Sequence, residues 1–126
     1  DVERAVRRRA ARGFIDDDEI DGYIAELSEA LSDERVDEWF EGYRRLLRES
    51  TIAVPTGDGV RNYRPDRVVW TSQGTIDVID YKFGEEEPSG YIRQVKGYMR
   101  LISKIYPDVE VRGFLWYPLQ KRITRV

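Results

Sequence analysis

Between Thr71 and Tyr117 the hydrophobic period of the sequence changes twice, and that succession restricts the possible folds more than any other feature. Thr71-Ser-Gln-Gly74 reads as a hairpin turn, and the apolar segment from Thr75 to Phe83 reads as a strand. Tyr91 to Tyr106 then repeats at helical spacing until Pro107 stops it, and Val109 to Tyr117 returns to strand texture. A strand, a crossover helix and another strand are expected to pair in parallel.

The flanking segments extend this unit. Ser50 to Val54 reads as a strand, Pro55-Thr-Gly-Asp-Gly59 as a turn, and Asn62 to Trp70 as a strand that Pro65 breaks at an edge or bulge. These two strands and the Thr75 strand are close enough in sequence for an antiparallel meander. Arg122 to Val126 is a candidate fifth strand. The first fifty residues read as helices. Val2, Ala5, Val6 and Ala10 share a face that ends at Gly13. Asp16 and Glu19 form a capping box ahead of a stripe made by Ile20, Tyr23, Ile24, Leu27 and Leu31. Ser32 is expected to cap a third helix, with Asp33 and Glu34 in its first turn and Arg44, Arg45 and Arg48 in its last. Its apolar positions are Val36, Trp39, Phe40, Tyr43, Leu46 and Leu47. The whole is a single α+β (α/β) domain over residues 1–126. A helical preface occupies 1–31, and 32–126 run as helix, three strands, helix and one or two strands.

Composition removes most chemistries from such a domain. The 126 residues include no cysteine and no histidine. Disulfides, thiolate nucleophiles, zinc ribbons, iron–sulfur clusters, Ser-His-Asp triads and HExxH sites are therefore all excluded. What remains is carboxylates, lysine, tyrosine and a hard metal that prefers oxygen ligands. No run approaches the ~20 apolar residues of a membrane span, and the first residues do not read as a signal peptide, so a membrane partner is not expected. The net charge of −3 is unevenly divided. Residues 1–50 carry 15 acids and 9 arginines, whereas residues 51–126 carry 9 acids and 12 bases. An anionic partner should therefore meet the C-terminal part.

The chemistry concentrates in Asp80-Tyr81-Lys82. Residues i and i+2 of a strand face the same side, so Asp80 and Lys82 project together while Asp77 points the other way. The hairpin can bring Asp66 alongside Asp80. Two carboxylates at one spot repel unless a proton or a cation lies between them, and Mg²⁺ or Mn²⁺ suits that set. On the following helix Tyr91, Gln94 and Tyr98 share a face, placed to hold a nucleic-acid strand by stacking and polar contacts. Arg93, Lys96, Arg100 and Lys104 add positive charge to the rest of the helix.

Pro65-Asp66, Asp80-Tyr-Lys82 and Gln94-Val-Lys-Gly-Tyr98, in that order, resemble the PD-(D/E)xK nuclease signature in its RecB/AddA form, with the trailing QxxxY motif. The element order is similar to the restriction-endonuclease-like αβββαβ core, and the resemblance spans about Asp33 to Tyr117. It implies Asp66 and Asp80 as ligands of Mg²⁺ or Mn²⁺, the Tyr81 carbonyl as a third and Lys82 as the catalytic lysine. Gln94, Tyr98 and Tyr91 would bind DNA or support the site. Glu49 stands where many relatives carry an acidic residue and is a further candidate ligand. The implied activity is a metal-dependent DNA nuclease, expected to be an exonuclease, attached to a UvrD/Rep-like helicase in double-strand-break repair. Its implied partners are DNA, the helicase portion of the parent chain and a second helicase–nuclease subunit, and its implied location is the bacterial cytoplasm. An alternative is a catalytically degenerate nuclease fold that binds DNA or a partner.

The chain departs from that pattern in lacking the upstream histidine of RecB-type nucleases. It also begins within a helical pattern without an initiator methionine. It is therefore read as a C-terminal piece of a larger helicase–nuclease, beginning after that histidine. Asp16-Asp-Asp-Glu19 lacks the spaced ligands and central glycine of an EF-hand and reads as an acidic helix start. Arg7-Arg8-Arg9 reads as a solvated helix face. Glu85-Glu-Glu87 would repel DNA, and is read as a loop pointing away or docking on a partner domain. Trp116 is expected in the core and Tyr117 at the sheet surface.

Overall fold

In a computed structural model of the chain, residues 20–48, 50–83 and 88–126 are described. The expectations for Val2 to Glu19, Glu49 and Glu85 to Glu87 fall outside these residues. Helix α1 (Ile20–Ala30) leads through a 3₁₀ turn (Glu34–Val36) into the four-residue α2 (Asp37–Phe40). Seven strands and one long helix follow: β1 (Arg45–Arg48), β2 (Ile52–Thr56), β3 (Gly59–Tyr63), β4 (Arg67–Trp70), β5 (Ile76–Tyr81), α3 (Pro88–Ile105), β6 (Val111–Tyr117) and β7 (Arg122–Arg125). The main sheet has the order β1-β4-β5-β6-β7, and β2 and β3 form a separate hairpin. The β5–β6 pair is parallel, as the crossover predicts, and the other pairs of the main sheet are antiparallel. The fold is thus α+β, a mixed sheet flanked by helical segments. No described helix is long and apolar enough to cross a membrane.

Each face of the sheet has its own core. Val68, Ile76, Val78, Leu115 and Tyr117 pack under Val95, Tyr98 and Ile102 of α3. Val69, Ile79, Tyr81, Phe114 and Trp116 pack against Ala30, Val36 and Trp39 on the opposite face. All six residues of β5 are buried, as a central strand covered on both sides requires. Burying one Val or Ile side chain contributes about 1.5–3 kcal/mol, so β5 anchors the domain. Helix α3 lies directly on β6 at Gly113. A Cβ there would stand 2.7 Å from Val95 Cγ1 and closer still to Met99 Sδ, so only glycine permits this approach.

The N-terminal half of the sheet differs from expectation. Asp33, not Ser32, makes the helical cap, its carboxylate accepting from the Arg35 amide at 2.9 Å. The third helix does not reach Arg48. It stops at Phe40, where Glu41 becomes extended and Gly42 takes a left-handed φ of 70°. Arg44 then donates its amide to the Trp70 carbonyl at 2.7 Å, and Arg45–Arg48 enters the sheet as an edge strand. Adjacent Leu46 and Leu47 serve opposite cores, which a strand achieves and a helical turn does not. The first strand of the meander is therefore β1, and the Ser50–Val54 segment belongs instead to the excursion hairpin β2–β3. Pro55 and Thr56 lie within β2, so the turn is confined to Gly57 and Asp58. The Asn62–Trp70 strand is divided at Arg64-Pro65-Asp66 because proline cannot donate to a ladder. Helix α1 ends at Ala30, which enters the core while Leu31 is exposed. Tyr117 is buried under α3, not at the sheet surface.

Candidate active site

The β4–β5 ladder ends at the pair Arg67 and Ile79, so Asp66 and Asp80 stand opposite one another just beyond its last rung. Pro65 has broken the strand there, which leaves the Asp66 amide outside the regular ladder. That amide donates to Asp80 Oδ1 at 3.1 Å, and the Tyr81 amide donates to Asp66 Oδ2 at 2.8 Å. The two carboxylates are interlocked through the backbones of the strands that carry them. Asp80 is 4% exposed and Asp66 is half-buried. Such proximity of like charges in a shielded place costs energy unless a cation or a proton is shared.

Lys82 extends the same face of β5 toward α3. Its amide donates to the Trp116 carbonyl at 2.8 Å, so its backbone stays pinned to β6 after the strand ends. The side chain is buried, with Nζ 3.8 Å from the centre of the Tyr91 ring at the start of α3. A cation–π contact holds an ammonium in a shielded site without neutralising it. Tyr98, two turns further along α3, is 5% exposed, and its hydroxyl is pushed up to about 12. Burial is the main cause and the negative charge of Asp80 the next, while the Arg64 backbone and the Gln94 side chain oppose the shift by hydrogen bonding. At neutral pH this phenol is therefore a protonated donor close to the carboxylates. Gln94 is itself exposed, at the margin of the face that Tyr91 and Tyr98 bury.

The remaining candidates lie elsewhere. Asp77 is fully buried on the opposite face. It accepts from Arg112 Nε at 2.7 Å, Arg112 Nη2 at 2.6 Å, Trp39 Nε1 at 3.1 Å and Thr75 Oγ1 at 3.0 Å. Contact with Asp77 raises the Arg112 guanidinium above its ordinary range. Tyr81 contributes its backbone to the carboxylate pair, whereas its ring packs into the opposite core, 5.8 Å from Trp116. Glu49 lies outside the described residues. Among the described residues no three acidic side chains gather as a metal cage.

Two neighbours escaped the sequence reading. Tyr63 of β3 sets its ring edge-on to Tyr98 at 5.8 Å, so the excursion hairpin forms a wall of the site. Its position three residues before Asp66 was the available signal. Arg67 is buried beneath the carboxylates on the far face. Its Nε donates to the Trp39 carbonyl at 2.8 Å, and its guanidinium lies 4.3 Å from the centre of the Phe40 ring. Its Nη1 has no hydrogen-bond partner among the described residues, and burial pulls the guanidinium's pKa down. An arginine beside a PD dipeptide carries no sequence mark that it will be buried.

Comparison with known proteins adds little to this geometry. No family model matches the chain, and no curated protein matches it. Five chains of solved structures match. One is a complex described as EndoMS with dsDNA, 28% identical, with a TM-score of 0.45. The match covers 72% of this chain and 34% of that one, so the chain spans about a third of that protein's length.

Proposed function

We propose that the chain is a divalent-metal-dependent nuclease domain that hydrolyses DNA phosphodiesters. The observation that carries this reading is the interlocked Asp66–Asp80 pair with the buried Lys82 ammonium on the same sheet face. A surface ion pair would leave these groups in water, whereas Asp80 and Lys82 are buried. Two carboxylates are also the usual protein share of a Mg²⁺ site, whose other ligands are waters and substrate phosphates. The donor set therefore fits Mg²⁺ or Mn²⁺, which Asp66, Asp80 and the Tyr81 carbonyl would hold. When bound, such an ion stabilises charge on a phosphoryl oxygen and acidifies a water.

The protein's own groups act around that centre. Asp66 and Asp80 are held by backbone amides, so no side-chain reorganisation is needed for them to receive a cation and its phosphate. The Lys82 ammonium offers positive charge to the non-bridging oxygens or a proton to the leaving oxygen. Tyr98 keeps its proton and supplies a neutral donor beside the carboxylates. Gln94 lies at the solvent edge of this group, where a nucleic-acid strand would pass. Attachment to a RecB/AddA-type helicase in break repair, in the bacterial cytoplasm, is the context that the motif resemblance suggests.

The test is digestion of linear DNA in Mg²⁺ or Mn²⁺, repeated with Asp80→Ala and Lys82→Ala. Each variant is expected to lose at least about a hundredfold in rate, in line with the loss of a transition-state electrostatic partner. Wild-type activity in both variants would overturn the mechanism. That no more than two carboxylates gather at this site among the described residues favours a second reading, a nuclease fold that binds DNA without cutting. Its signature is DNA binding by the wild-type chain with no product in either metal.

A further inference from the structure

Helix α3 turns two unlike faces to its surroundings. Val95, Tyr98 and Ile102 are buried against the sheet. On the opposite side Arg93, Lys96, Arg100 and Lys104 are all exposed. At 100° per residue these four fall within about 80° of one another, centred roughly 170° from the buried stripe. From Arg93 to Lys104 the helix rises about 16 Å. A duplex strand has a phosphate every ~3.4 Å of axis, so this track faces about five phosphates with four cations.

The charge pattern is not that of an ordinary solvated helix. Such helices alternate acids and bases so that neighbours three and four residues apart attract. The 18 residues of α3 contain four bases and no acid, in a chain with 24 acids and 21 bases. Outside this helix the chain is therefore net −7, with 17 bases against 24 acids. Lys96–Arg100 and Arg100–Lys104 are like-charge pairs at i, i+4, and each destabilises the free helix. Lys104 in the last turn suits the helix dipole, but Lys96 and Arg100 lie in the middle, where that effect has faded. Elsewhere Arg35, Arg112, Lys121 and Arg125 each have a carboxylate partner. None of the four α3 cations has one among the described residues.

We infer that the outward face of α3, formed by Arg93, Lys96, Arg100 and Lys104, is a sequence-independent binding surface for the phosphate backbone of duplex DNA, separate from the Asp66–Asp80 site. Repulsion along the helix, and the absence of carboxylate partners among the described residues, are both relieved when a polyanion lies on this face. Guanidinium and ammonium groups on flexible stems suit phosphate contacts without base readout. The inference requires no cleavage and stands whether or not the chain is a nuclease.

The experiment measures equilibrium binding of the full 126-residue chain to a 30-base-pair duplex DNA in EDTA, across a salt series. The wild type is compared with Arg100→Gln and with the triple variant Lys96→Gln/Arg100→Gln/Lys104→Gln. The plot of log affinity against log salt should flatten by about 0.9 for the single variant and about 2.7 for the triple. Affinity of the triple at low salt should fall at least about tenfold, while its melting midpoint is equal to or above that of the wild type because repulsion has been removed. In Mn²⁺, the DNA concentration for half-maximal cleavage should rise with the maximal rate unchanged. A wild type that does not cut leaves the binding series intact as the test. Affinity and salt slope unchanged in both variants would overturn the inference. So would wild-type binding to phosphatidylserine vesicles, lost in the triple variant, without any matching change for DNA.

Discussion

Asp77 and Asp80 are three residues apart on one strand and almost equally buried, yet their surroundings are opposite in kind. Asp77 meets a guanidinium in two-pronged contact, an indole N–H and a threonine hydroxyl, which together satisfy its charge and lone pairs. Asp80 accepts from the backbone amide of Asp66, whose own carboxylate accepts from the next residue of the Asp80 strand, and its charge acts on the Tyr98 hydroxyl. The alternation of the strand decides which face each takes. The residues of the facing layer decide what it does there. A buried carboxylate tied to a guanidinium is a structural strut, whereas two carboxylates interlocked through backbone amides at the end of a ladder are a candidate site. Burial alone does not distinguish a site from a strut.

This contrast is open to direct test. Asp77→Ala should be the most damaging substitution, costing about 3–5 kcal/mol because Arg112 and the Trp39 N–H lose their acceptor. Denaturant unfolding measures this, and a loss below about 1 kcal/mol would remove the distinction. Asp80→Asn should cost less stability than Asp77→Ala, because the amide oxygen still accepts from the Asp66 N–H and repulsion by Asp66 is relieved. The same variant should abolish metal-dependent cleavage. Mg²⁺ or Mn²⁺ at a hundred times its dissociation constant should stabilise the wild type by about 2.7 kcal/mol. In calorimetry that gain should disappear in Asp80→Ala.

The smallest effect is a pH slope. Because the folded state raises the Tyr98 hydroxyl to about 12 from an ordinary value near 10, its contribution to stability is complete below pH 10 and declines as pH rises toward 12. Tyr98→Phe should flatten the loss of stability across that window, whatever its stability at neutral pH. Equal slopes for the two proteins would show that the hydroxyl titrates normally in the folded state.

Legibility in the sequence was uneven for reasons that can be located. The β4–β5–α3–β6 unit was readable because each change of hydrophobic period is closed by punctuation: Gly74 with a left-handed φ of 89° in the hairpin, Pro107 after the helix. The adjacency of Asp66 and Asp80 also follows from hairpin register once both strands are recognised. The 32–48 segment reads as helix because Trp39, Phe40, Tyr43, Leu46 and Leu47 match helical spacing, and local periodicity does not register that Gly42 has left the helix. The β1 strand exists because β4 offers it an edge, which is a nonlocal fact. The excursion hairpin was hidden in the same way, since only packing of Tyr63 on Tyr98 shows that it flanks the site.

By itself the sequence determined the α+β class, the parallel crossover, the opposite faces of Asp77 and Asp80, and an inventory confined to oxygen and amine chemistry. These follow from period, punctuation and composition, which act within a few residues. Tertiary structure alone decided that Arg45–Arg48 is a strand, that Lys82 lies under Tyr91 and that Arg112 rather than a ligand satisfies Asp77. Each of these depends on which surface a distant segment presents, and strand pairing, cation–π contact and buried ion pairing gain their energy only after the chain has brought those surfaces together.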